Sequence, residues 1–130
     1  DVFNVPMSSF FETTASHSFF TPAAERKPSR IEGSNAVFSR LGGSFSGKAL
    51  EPLHIVLAPQ QGQDPVFNHP GEEFYYILKG TVQMLVGDKE YEMHEGDTIH
   101  FPSSLNHTWH NRTGEPVQMI AVLTPVIFHE

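Results

Sequence analysis

Ten glycines and ten prolines break this chain so often that few stretches longer than about eight residues escape one. Glycine admits backbone angles that other residues avoid, and proline fixes its own angle and removes a hydrogen-bond donor. Segments so punctuated suit many short strands joined by turns. Pro52 to Pro59 carries Leu53, Ile55 and Leu57 in alternation, the period-two pattern of a half-buried strand. From Phe67 onward the pattern becomes a meander. Strands are predicted at Phe74–Leu78, Thr81–Val86, Glu90–His94, Thr98–Pro102, His107–Asn111 and Val117–Thr124, with turns at Lys79-Gly80, Gly87-Asp88, Glu95-Gly96-Asp97 and Thr113-Gly114-Glu115. Such spacing indicates an all-β sandwich or barrel. Earlier in the chain, Ser16 to Ala23 and Ala36 to Leu41 read as strands and Glu25–Asn35 as a loop. A short helical turn is allowed only within residues 2–12.

Length and composition narrow the setting. The 130 residues suit one domain, large enough to bury a core without staples. The absence of cysteine excludes a disulfide framework and thiolate metal ligands, and suits the cytoplasm. No apolar run approaches the roughly 20 residues needed to cross a bilayer, so no membrane role is expected. Eight basic against fifteen acidic side chains give a net charge of −7. That balance repels a phosphate backbone, so this piece alone is not expected to bind DNA.

Two of the eight histidines stand out by their spacing. His69 precedes Glu73 by four residues across the turn Pro70-Gly71-Glu72, and His107 opens a later strand with Trp109 on the same face. Glu73, Tyr75 and Ile77 share one face of their strand; Phe74, Tyr76 and Leu78 share the other. Two imidazoles and one carboxylate from separate strands form a donor set for a divalent zinc, iron, manganese or nickel ion. A pocket without metal, in which the same groups only hydrogen-bond, is the alternative. Phe67, Tyr75 and Trp109 read as barrel filling that also lines the pocket. His100 lies opposite in parity to Ile99 and Phe101 and is expected to face outward, while nothing fixes the orientation of His54 or Gln63.

These residues resemble the two signature motifs of the cupin superfamily. The first motif is matched by His69, Glu73 and Gly80, the second by Gly96, Pro102, His107 and Asn111. The resemblance covers about residues 50–124 and implies a double-stranded β-helix, the antiparallel jelly-roll cupin barrel. One departure is plain: where the family places its first metal-ligand histidine, this chain has Phe67, whose ring has no lone pair to give.

A narrower likeness follows. The segment His69–Gly80, together with Glu51-Pro52-Leu53, Gly96-Asp97 and Phe101-Pro102, resembles the C-terminal cupin of bacterial regulators that carry an Xre-type helix-turn-helix domain. Val2 to Glu12 resembles the exit from such a DNA-binding domain, and the chain opens on Asp1 rather than Met. The resemblance implies residues 1–15 as a linker or arm, residues 16–130 as the cupin domain, and a homodimer. It also implies a cytoplasmic sensor of a small-molecule effector, reaching DNA only through a missing N-terminal domain. A metal-dependent cupin enzyme, of the dioxygenase or isomerase class, is the competing expectation, and an idle structural module the third.

Overall fold

The computed structural model describes residues 18–30, 33–59 and 64–126. Among the described residues nine strands follow one another: β1 (Ser29–Arg30), β2 (Ala36–Arg40), β3 (Glu51–Leu57), β4 (Glu72–Lys79), β5 (Val82–Val86), β6 (Lys89–Met93), β7 (Thr98–Pro102), β8 (His107–His110) and β9 (Val117–Thr124). They form a six-stranded sheet in the order β1-β2-β3-β9-β4-β7 and a three-stranded sheet in the order β6-β5-β8. Every pairing is antiparallel.

The sequence alternation becomes the burial alternation. Leu53, Ile55 and Leu57 of β3, Val117, Met119, Ala121 and Leu123 of β9, and Tyr75 and Ile77 of β4 point inward. They meet Val82, Met84 and Val86 of β5 and Trp109 of β8 in one core cluster. Burial of such side chains contributes roughly 1.5–3 kcal/mol each, which fixes strand register, because a one-residue slip would turn the whole apolar row to water.

Two segments differ from the sequence reading. Ser16–Ala23 is not a strand where described: Ser18 makes an isolated bridge to Ser44, and Ala23–Glu25 forms a single 3-10 turn after Pro22. Where the segment is described, that one bridge is its only strand pairing, and local propensity alone does not supply a ladder. Within the expected loop Glu25–Asn35, Ser29–Arg30 pairs with Phe38 and Val37 as the sheet's edge. The arm at residues 1–15, including Val2 to Glu12, lies outside the described residues, as does Gln63.

Candidate metal centre

The register of the large sheet puts Glu51, Leu123, Glu73 and Phe101 in one row across β3, β9, β4 and β7. Inward-facing side chains of that row form one rim of the barrel interior. A loop brings the remaining parts to it. Phe67 and His107 exchange backbone hydrogen bonds (2.8 and 3.0 Å), and His69 N–H donates to the Ser103 carbonyl at 3.0 Å. Asn68 Nδ2 donates to Asn106 Oδ1 at 2.8 Å and to the Ser104 carbonyl at 3.0 Å. Gly71, at φ +107°, seats the loop directly on the end of β9, where a Cβ would lie 1.7 Å from the Thr124 carbonyl oxygen. Only glycine fits there, both for space and for backbone angle.

So held, three side chains converge. His69 Nε2 lies 2.5 Å and His107 Nε2 2.9 Å from the same oxygen, Oε2 of Glu73. Candidate ligand atoms of all three residues lie within 4.8 Å of one another. Glu73 and His107 are buried and His69 is half-buried. The other carboxylate oxygen, Oε1, accepts the Tyr75 hydroxyl at 2.6 Å.

The outer nitrogens decide what this cluster can do. His69 Nδ1 lies 2.9 Å from the Pro70 carbonyl and His107 Nδ1 2.7 Å from the Leu105 carbonyl. A carbonyl only accepts, so each Nδ1 carries a proton, and a ring in its neutral form turns the Nε2 lone pair toward Glu73. Two lone pairs facing a carboxylate oxygen repel unless a proton or a cation lies among them. Histidines that bind metals are oriented in this way, one nitrogen tied to a backbone carbonyl and the other presented to the ion. The donors fit a divalent cation, with two imidazoles and one carboxylate leaving positions open.

Without a cation, protons do the work. Burial alone would lower the His107 pKa, but its hydrogen bond and charge interaction with Glu73 and its bond to Leu105 prevail, and the ring is raised above its ordinary value. Burial alone would raise Glu73, yet hydrogen bonds from His107 and Tyr75 and the charges of both histidines hold it below the usual range. Burial, then the Glu73 charge and hydrogen bond, pushes the Tyr75 hydroxyl well up.

Aromatic rings wall the cluster. Phe67 sits with its centroid 6.1 Å from His107 and 5.9 Å from Trp109, so the phenylalanine that replaces the first family histidine faces the site. Trp109 lies edge-on to Tyr75 at 6.1 Å. Phe101 stacks on Tyr75 at 6.1 Å and lies 5.0 Å from His107. The sequence reading did not place Phe101 at the site. Its signal was available: it is the cross-strand partner of Glu73 and has inward parity opposite to His100. Arg40 and the wholly buried Glu51, paired at 3.0 and 3.1 Å, were also missed. They belong to the same rim, since Glu51 stands two strands from Glu73, roughly 10 Å along the row.

Two further histidines lie elsewhere. His54 Nε2 lies 3.3 Å from Gln118 on the outer side of the large sheet. His100 is exposed and meets Glu72 at 2.6 Å, outward as expected.

Comparison with known proteins agrees with the fold. The family profile described as "Cupin domain" matches residues 53–123, more than half of the chain, and the chain belongs to the cupin family. It is 32% identical over 63 residues to the Uncharacterized protein MJ1618 of Methanocaldococcus jannaschii, which covers 48% of this chain and 50% of that protein. The chain thus spans about half the length of the curated relative it matches. Among solved structures it is similar to an RmlC-like cupin from Shewanella frigidimarina NCIMB 400, with TM-score 0.70, 17% identity, and 86% and 96% of the two chains covered. It is also similar to FeII HppE, with TM-score 0.69, 21% identity, and 82% and 60% covered. At these identities the likeness is one of fold, the antiparallel cupin jelly roll. No helix among the described residues is long and apolar enough to cross a membrane.

Proposed function

We propose that this cupin domain holds one divalent metal ion through His69 Nε2, Glu73 Oε2 and His107 Nε2. It takes a small-molecule effector at the same place, as the sensing half of a cytoplasmic bacterial transcriptional regulator. The convergence of both Nε2 atoms on one carboxylate oxygen, with both Nδ1 atoms tied to carbonyls, carries the metal reading. A divalent ion there supplies Lewis acidity and open positions for an oxygen or nitrogen of the effector. The chain's own residues do the rest: Tyr75 fixes which oxygen of Glu73 is free, while Phe67, Phe101 and Trp109 keep water from the ligand.

The resemblance of His69–Gly80 and of Val2 to Glu12 to Xre-type regulators supports the sensor role, and the net charge of −7 argues against DNA contact by this segment itself. An effector would act by its differential affinity for two arrangements of a dimer. The outer face of the large sheet, where Phe74, Tyr76 and Leu78 are 36%, 40% and 43% exposed, is our proposed pairing surface for a second copy. The test of the metal reading is elemental analysis of protein purified without chelator. One equivalent per chain in the wild type and none in His107→Ala is expected; equal metal in both rejects the site. The sensor role is tested on full-length protein containing this domain, by DNA binding with and without the bound ion. Unchanged DNA affinity counts against it.

The second reading is an iron-dependent enzyme, favoured by the three-donor set and by the fold likeness to FeII HppE. Oxygen uptake by the iron(II)-loaded domain with small organic acids tests that alternative.

A further inference from the structure

Trp109 is the one tryptophan of the chain. It stands two residues beyond His107 on the same inward face of β8, its ring between Phe67 at 5.9 Å and Tyr75 at 6.1 Å. The side chain is buried, with the residue only 4% exposed, yet its indole Nε1–H has no hydrogen-bond partner. An indole nitrogen can only donate, and a buried one ordinarily finds an acceptor. Two other buried polar atoms among the described residues also lack partners, Gln83 Oε1 and Ser103 Oγ. Gln83 falls between the inward Val82 and Met84, so it faces away from the barrel, and its amide nitrogen is bonded to Glu92. The backbone of Ser103 braces the loop behind His69, through His69 N–H and the Gly71 carbonyl. The indole alone of the three shares the aromatic wall of the histidine–carboxylate cluster.

Charge adds a second constraint. A divalent ion beside Glu73 leaves one positive unit uncompensated. The nearest charged pair described on that rim, Arg40 and Glu51, is mutually neutral. A buried net charge is costly and is met by an opposite one.

The geometry points to Trp109 Nε1 as the donor that fixes a small carboxylate at this site. One carboxylate oxygen faces the histidine–glutamate donors and their cation, an oxygen of the same group accepts the indole proton, and the ligand's apolar body lies against Phe67 and Phe101. This inference rests on the proposed metal centre and adds a ligand class to it, a monoanionic carboxylate.

The experiment uses the full chain loaded with cobalt(II), whose visible bands report the ion's surroundings. Acetate is titrated in, with acetamide as the uncharged counterpart of the same shape. Acetate is expected to shift the bands saturably and to change Trp109 fluorescence with the same midpoint, while acetamide binds far more weakly. Trp109→Phe is expected to weaken acetate about tenfold or more, the loss of a hydrogen bond to a charged group, while the variant still binds cobalt. Biosynthetic replacement of the lone tryptophan by benzothienylalanine, which keeps the shape and substitutes sulfur for N–H, is expected to give the same loss with packing intact. Equal acetate affinity in all three proteins, no acetate binding, or equal binding of acetamide overturns the donor assignment and leaves the metal centre standing. Failure of the unaltered chain to bind cobalt overturns both.

Discussion

The hydroxyl of Tyr75 donates to Oε1 of Glu73 at 2.6 Å, two residues away on the same strand face, and leaves Oε2 as the oxygen both histidines see. A carboxylate held by one oxygen binds an ion through the other, and such outer partners are typically worth 10–100-fold in metal affinity. Tyr75→Phe keeps the ring stacked on Phe101 and removes only that tether. Zinc affinity by competition with a chromophoric chelator is expected to fall about tenfold or more, while the melting temperature of the metal-free protein changes by a few degrees at most. Unaltered affinity would mean that Glu73 is positioned by the backbone alone.

His107→Ala removes one of three donors and a buried partner of Glu73. Metal retention is expected to be lost, and the metal-free fold to be destabilised by about 1–3 kcal/mol, because Glu73 keeps His69 and Tyr75 as partners. A cooperative thermal transition should persist, read by circular dichroism. Bound metal at the wild-type level would place the ion elsewhere.

At position 67 the side chain faces His107 with ring centroids 6.1 Å apart. Phe67→His adds an imidazole where the family motif has one, and divalent-metal affinity is expected to rise at least about tenfold. An unchanged dissociation constant would show that the added ring points elsewhere.

At the proposed metal centre a proton and the ion would compete for His107, so pH is expected to have opposite effects on the two forms. In the metal-free protein the raised His107 contributes stability that is fully present below its ordinary value of 6.5 and is lost as pH rises through its folded value. The lowered Glu73 contributes stability present above its ordinary 4.5 and lost as pH falls through its folded value. Metal-free protein is therefore expected to be most stable between those limits, whereas the stabilisation by zinc grows as pH rises and His107 gives up its Nε2 proton. Melting curves from pH 4 to pH 9, with and without zinc, check both signs. A zinc increment independent of pH would remove His107 from the ligand set.

Tyr76 and Ile120 are cross-strand partners on the outer face of the large sheet, with Phe74 and Val122 paired beside them. Ile120→Arg puts a charge in the middle of that face without touching the core. A dimer in the unaltered chain and a monomer in the variant are expected by sedimentation. A monomeric unaltered chain at high concentration removes the proposed pairing.

Much of this was legible from residue order. Alternation in β3, β4 and β9 follows from one face being wet and the other buried, so the parity of Glu73, Tyr75 and Ile77 could be read directly. The spacing from Gly96 through Pro102 to His107 carried the second half of the site. Less was legible where contacts are remote. Asn111, a motif residue, donates from Nδ2 to the carbonyls of Leu57 and Glu115 at 2.9 and 2.8 Å, tying the end of β8 to β3. No local pattern announces a partner more than fifty residues away. Arg40 and Glu51 were invisible for the same reason, since each looks like an ordinary charged strand end until the sheet closes. The segment Ser16–Ala23 shows the converse error: in its described part only Ser18 pairs, in an isolated bridge to Ser44, ahead of the 3-10 turn at Ala23.

The close fit of Gly71 against Thr124 makes a mechanical junction of two points that lie 53 positions apart in the chain. The Glu72 N–H also meets the Thr124 hydroxyl, at 3.2 Å, so the last strand grips the turn from both sides. Gly71 lies two residues after His69, so the end of β9 and the loop that carries this imidazole share one fixed contact.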